Sequence, residues 1–141
     1  MKRSWVTAAF ASLALGGCGG PQADLFVVER DGSLPNARLT LLVSNGGTAR
    51  CNRGEELPIT SAQLIDAREI ARELNGVEEK DGPADRGVRL APGPGAIMRY
   101  DVRAEDGSVA FSDTSSDQPQ AFYEVAKLTR DIAREICDLP R

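Results

Sequence analysis

"LTLLVSNGGTARCN" (residues 39–52) sets the fold class. Leu39, Leu41 and Val43 alternate with Thr40, Leu42 and Ser44, a period of two that fits a strand with one dry and one wet face. Asn45-Gly46-Gly47 supplies the positive φ that a tight hairpin turn demands. Thr48 to Asn52 then returns as the partner strand. On that return Cys51 shares the inward parity of Ala49.

The same pattern recurs downstream. In "AIMRYDVRA" (residues 96–104) Met98, Tyr100 and Val102 share one side, and Arg99, Asp101 and Arg103 the other. Asp106-Gly107 makes the turn, and Ser108 to Phe111 pairs back. Each hairpin leads to an amphipathic helix. The first is predicted from Ala62 to about Asn75, capped by Thr60-Ser61, with Leu64, Ala67, Ile70/Ala71 and Leu74 in one apolar stripe. The second runs from about Gln120 to Asp138, with Phe122, Val125, Leu128/Thr129, Ile132 and Ile136 facing inward. A further strand, Asp24 to Glu29, precedes both units and ends in the turn signal "RDGS". Val77 to Gly95 is rich in proline and glycine and reads as a loop, with a short extended piece at Arg89-Leu90.

Strand, glycine turn, strand and helix therefore occur twice, which suggests a ββα repeat. Both hairpins leave one face wet and both helices carry one greasy stripe. The economical packing is an α+β two-layer sandwich, an antiparallel sheet of about five strands with both helices on one face.

The N-terminus is read separately. Lys2 and Arg3 precede the apolar run Trp5 to Leu15, eleven residues and roughly 16 Å of helix, about half the hydrocarbon layer. A basic start, a short apolar stretch and a small-residue exit describe a secretory signal peptide. The exit Leu15-Gly16-Gly17-Cys18 resembles the lipobox of bacterial lipoprotein precursors. The resemblance implies that residues 1–17 are removed and that Cys18 becomes a diacylglyceryl-modified N-terminus. Residues 18–24 then form a lipidated cysteine and flexible tether, and residues 25–141 a single domain. Two acyl chains make such an anchor durable. The expected location is the cell membrane, lipid-anchored, with the domain on the extracytoplasmic side. The mature part is similar to small uncharacterised actinobacterial lipoproteins in "LTLLVSNGGTARCN" and "RDIAREIC". The order of strand, Cys-bearing strand and helix also resembles secreted subtilisin-inhibitor domains, although a second disulfide is missing.

Removing residues 1–17 leaves 15 basic against 21 acidic residues, a formal charge of −6. An acidic domain is a poor partner for nucleic acid. Cys51 and Cys137 remain, an even pair in a compartment where disulfides persist, and a bridge between them is expected.

The chain contains no histidine. That removes the commonest general base and most zinc sites, and pairing the cysteines removes a thiol nucleophile. Acidic pairs such as Glu55-Glu56 and Glu78-Glu79 read as solvated charge. No glycine loop of phosphate-cradling form is present. Neither enzyme activity, nor a cofactor, nor a metal is expected.

Two surfaces are candidate binding sites. One is the outward sheet face with Arg50, Arg99, Asp101 and Arg103, whose guanidinium forks suit an acidic partner. The other is the proline-rich loop 85–95, which would present Arg89-Leu90. The expected function is a lipid-anchored binding module for an unidentified envelope protein or ligand. The alternative is an inhibitor of an extracellular serine protease acting through loop 85–95.

Overall fold

The computed structural model describes residues 23–78 and 80–139. The expected signal peptide, Cys18 and most of the tether lie outside them. Eight elements follow in chain order: β1 (Asp24–Gly32), β2 (Leu39–Ser44), β3 (Thr48–Cys51), β4 (Glu56–Pro58), α1 (Ser61–Asn75), β5 (Met98–Arg103), β6 (Ser108–Ser112) and α2 (Gln120–Glu135). The strands form one sheet in the order β4-β3-β2-β1-β5-β6, antiparallel throughout. The α+β sandwich expected from patterning is the observed class, with six strands in place of five.

The sixth strand is β4. Three residues with a proline and an acidic side chain carry no strand signal, and such a piece persists only at an edge. It is held there by register, with Ala49 opposite Leu57 and Arg50 opposite Glu56.

The first strand also differs from expectation. The "RDGS" signal placed a turn after Glu29, yet β1 continues to Gly32. Arg30 is paired with Leu39 on one side and Tyr100 on the other, so two neighbouring strands outweigh one local turn preference. Gly32 permits the close approach, because a Cβ there would lie 2.3 Å from the Ile97 carbonyl oxygen. The reversal falls later, where Asn36 takes φ 61°.

The helices form for the reasons the sequence offers. Thr60 caps α1 in a reciprocal box: its hydroxyl accepts from the Gln63 N–H, and the Gln63 side chain accepts from the Thr60 N–H. Ala67, Ile70 and Leu74 of α1 and Phe122, Val125, Leu128 and Ile132 of α2 are buried. They meet Phe26, Val28, Leu39, Leu41, Val43, Val102, Val109 and Phe111 in one core. Tyr100, Phe111 and Phe122 stack with centroids 5.1 and 4.6 Å apart, tying β5, β6 and α2 together. The last helix ends at Glu135, three residues short of expectation.

The topology bears on the repeat. β2 and β5 both run antiparallel to β1 and flank it on opposite sides, so they are parallel to each other. From β2 the hairpin steps one way to β3, and from β5 the other way to β6. Both helices contribute to the same core. The two units therefore have opposite hands, which copies of one unit would not. Their likeness is one of order and not of superimposable structure.

Cys51, at the end of β3, and Cys137, just beyond α2, are bonded, with Cα atoms 6.0 Å apart and a sequence separation of 86. α2 starts over β6 through Phe122 and finishes near β3, so the bridge closes the helix diagonally across the sheet. Gln63 of α1 adds a hydrogen bond to Glu135 at 3.1 Å in the same region.

Candidate functional site: the uncovered sheet face

With both helices on one side, the other face of the sheet is left to solvent. Period two assigns its residues. Val27, Glu29 and Asp31 come from β1, where a register shift between Asp24 and Phe26 leaves Leu25 packed against the core, Thr40 and Leu42 from β2, and Thr48 and Arg50 from β3. On the far side Arg99, Asp101 and Arg103 come from β5, with Ser108 and Ala110 from β6. Val27 and Leu42 are half-buried, and Glu29, Arg99 and Arg103 are exposed. Charged side chains dominate the face, and this keeps an open sheet wet.

Register sorts these residues into rows. Across one row run Glu56, Arg50, Leu42, Val27, Arg103 and Ser108. The next holds Thr40, Glu29, Asp101 and Ala110. Asp31 faces Arg99, and its carboxylate lies 3.8 Å from the Arg38 guanidinium.

The structure joins the two surfaces that the sequence kept apart. Loop 85–95 does not stand free. The Leu90 N–H donates to the Ala110 carbonyl at 2.8 Å, and the Ala110 N–H to the Val88 carbonyl at 3.0 Å. Arg89 thus makes a single parallel bridge with Ala110, beside β6. From there its guanidinium crosses the face, donating to Asp101 Oδ2 at 3.2 Å and Ser108 Oγ at 3.3 Å. Leu90 turns the other way and packs against the core. Further along, Ser115 Oγ donates to the Ala91 carbonyl at 2.9 Å.

Arg50 does not join the others. The expectation grouped all four charged residues as one site, but β2 and β1 separate Arg50 from Arg103, about 14 Å at ~4.8 Å per strand. Arg50 instead donates to Glu56 at 2.7 Å on β4. Arg99, Asp101, Arg103 and Arg89 do gather on one half of the face. Of these, Asp101 is neutralised by Arg89. Neither Arg99 nor Arg103 has a carboxylate within 4.0 Å among the described residues.

A groove of about 530 Å³ lies on this half; Arg38, Leu90, Pro92, Glu29, Arg99 and Asp101 are among the residues that line it, as are Arg30 and Tyr100. A smaller hollow of about 210 Å³ adjoins Arg103 and Ser108. Glu29, Asp31 and Arg38 were not singled out from sequence. The alternation of the expected strand already placed Glu29 outward, and would have placed Asp31 there too had the strand been extended past residue 29. No group of three or more Asp, Glu or Cys side chains is placed to hold a metal ion among the described residues.

Two inward groups at the same end of the sheet have shifted titrations. Burial lowers the Arg30 pKa, and the neighbouring Tyr100 opposes that shift. Burial raises the Tyr100 pKa, with Arg30 opposing, Asp113 adding to the rise and Arg130 opposing.

The chain matches no protein-family model, no curated protein and no solved structure.

Proposed function

We propose that this chain is a lipid-anchored, extracytoplasmic binding module that receives an acidic segment of a partner protein on the uncovered sheet face. The observation that carries the reading is the pair Arg99 and Arg103. They are exposed, four residues apart on one strand and so about 13 Å apart, on either side of Asp101, and without a carboxylate partner among the described residues. Their forks suit bidentate contact with carboxylates, and the adjoining groove gives a bound segment a place to lie. The anchor at Cys18 rests on the lipobox resemblance, and an extracytoplasmic setting suits a chain that carries a disulfide. Binding is preferred to catalysis because the chain has no histidine and the carboxylate at the centre of the face, Asp101, is engaged by Arg89.

Protease inhibition through loop 85–95 is the weaker reading. An inhibitory loop must offer its backbone to the protease, whereas the backbone of residues 88–90 is paired with β6 and Leu90 is packed inward.

The test is capture of envelope proteins by the anchored chain on intact cells. Arg99→Glu with Arg103→Glu is expected to abolish recovery of the captured partner, and Arg68→Glu on α1 to leave it intact. Equal recovery with both variants would reject the sheet face as the binding surface.

A further inference from the structure

A second cleft of about 250 Å³ opens on the opposite layer, where the end of the sheet meets α2. At ~30 Å³ per water it holds about eight water-sized units, enough for a compact small molecule. Arg30 and Tyr100 form its inner wall, directly paired across β1 and β5. Arg130 and Arg134 of α2 line the opposite side, and Leu34 and Met98 add apolar surface.

Arg30 is the unusual member. It sits at an inward position of β1, only 6 % exposed, yet has no carboxylate within 4.0 Å among the described residues. Its Nε donates to the Ala37 carbonyl at 2.8 Å, and Nη2 makes a long contact of 3.4 Å to the Asn36 carbonyl. Nη1 has no acceptor among the described residues. Tyr100 is 8 % exposed, and its hydroxyl likewise has no hydrogen-bond partner there. Neither donor is shut off from solvent, so both open onto the cleft, while a guanidinium in a largely buried side chain without a counter-ion remains costly. Two such donors side by side on one cleft are an arrangement that an incoming anion would satisfy.

The rest of the lining keeps the cleft positive. Asp113 is its one carboxylate, and both of its oxygens accept from the Ile97 N–H, at 3.1 and 3.2 Å. Arg134 lies 3.6 Å from Asp131 and 3.3 Å from Glu135, and Arg130 3.9 Å from Asp131, so the helix arginines are partly neutralised. Arg30 is not.

We propose that this cleft binds a free small molecule carrying one carboxylate or phosphate group on a compact apolar body. The oxyanion takes Nη1 of Arg30 and the Tyr100 hydroxyl, and Arg130 closes over it from α2. The apolar body rests on Met98 and Leu34. Burial keeps Tyr100 protonated, and hence a donor, at neutral pH. Arg30 and Tyr100 also line the sheet-face groove, but Arg130, Arg134, Leu34 and Met98 belong to this cleft alone, and the proposal does not rest on the reading of the sheet face.

The test is calorimetric titration of the full chain with phenyl phosphate, hexanoate and 1-hexanol. At least one of the two anions is expected to bind at a single site, and 1-hexanol about tenfold more weakly or not at all, as loss of a charge-assisted hydrogen bond implies. Tyr100→Phe keeps the aromatic stack and removes only the hydroxyl. It should weaken anion binding about threefold or more, and Arg130→Gln, at an exposed position, by a similar factor. Arg99→Glu should leave it unchanged, which keeps this result distinct from that of the sheet face. No binding of either anion at concentrations on the order of 10 mM would overturn the proposal. So would equal binding of 1-hexanol, or unchanged binding in both folded variants.

Discussion

Arg89 illustrates what a single side chain can do to a surface. From a segment without regular structure it reaches Asp101 and Ser108 on two strands. Both partners of the ion pair are about half exposed, so Arg89→Ala is expected to cost no more than about 1 kcal/mol of stability by chemical denaturation. Its effect should fall on binding, because Asp101 would then offset Arg99 and Arg103. Phe122 is the contrasting case, fully buried and stacked on Phe111. Phe122→Ala should cost about 3–5 kcal/mol in the same measurement.

Tyr100 gives the pH dependence. Burial raises its folded pKa, whereas an unfolded phenol ionises near ~10. Stability from this group is therefore complete below about pH 10 and declines as pH rises from there through the folded pKa. In alkaline unfolding experiments Tyr100→Phe should remove that component of the decline. Which residues face out on β5 was readable from period two. That Arg30 is buried was not, because the turn signal at residues 30–33 concealed its place in a strand.

At the scale of elements, the hairpins and helices were legible wherever local and tertiary preferences agree. Asn45-Gly46-Gly47 joins β2 to β3 as its composition suggests, with Gly47 at φ 85°. Thr60 caps α1 as its position suggests, and Thr60→Ala should lower stability by about 1 kcal/mol, read as a shift in denaturant midpoint. The β5–β6 turn needs Gly107 for two reasons, its φ of 156° and a backbone approach in which a Cβ would lie 2.2 Å from the Ala84 carbonyl oxygen. Elements were misread where the sheet imposes structure on sequence that does not ask for it. β1 runs through a turn signal because two strands pair with it there. β4 exists because β3 has a free edge. The bridge at Arg89 was half legible as a short extended piece, but its partner Ala110 lies 21 residues away, and no local pattern encodes that choice.

At the scale of the whole molecule, the layer arrangement followed from counting faces, and the strand order did not. Placing β1 at the centre separates Arg50 from the cluster on β5 and gives the two hairpin–helix units opposite hands. The disulfide was legible from an even cysteine remainder and from the inward parity of Cys51. It spans a long loop, so replacing both cysteines by serine should destabilise the chain by about 2–5 kcal/mol in equilibrium unfolding. The anchor lies outside the described residues and has its own check. Mass analysis of protein extracted from its native membrane should find a chain that begins at an acylated Cys18, and an intact residue 1–17 segment would contradict it.

The claim on which the functional reading turns is that partners meet the sheet and not the helices. Photo-cross-linking side chains at Thr40 and Ala110 on the open face, and at Asp66 and Tyr123 on the helical layer, would test this on living cells. Adducts from positions 40 and 110 alone are the expected result. Adducts from positions 66 and 123 alone, or in equal yield from all four, would contradict it.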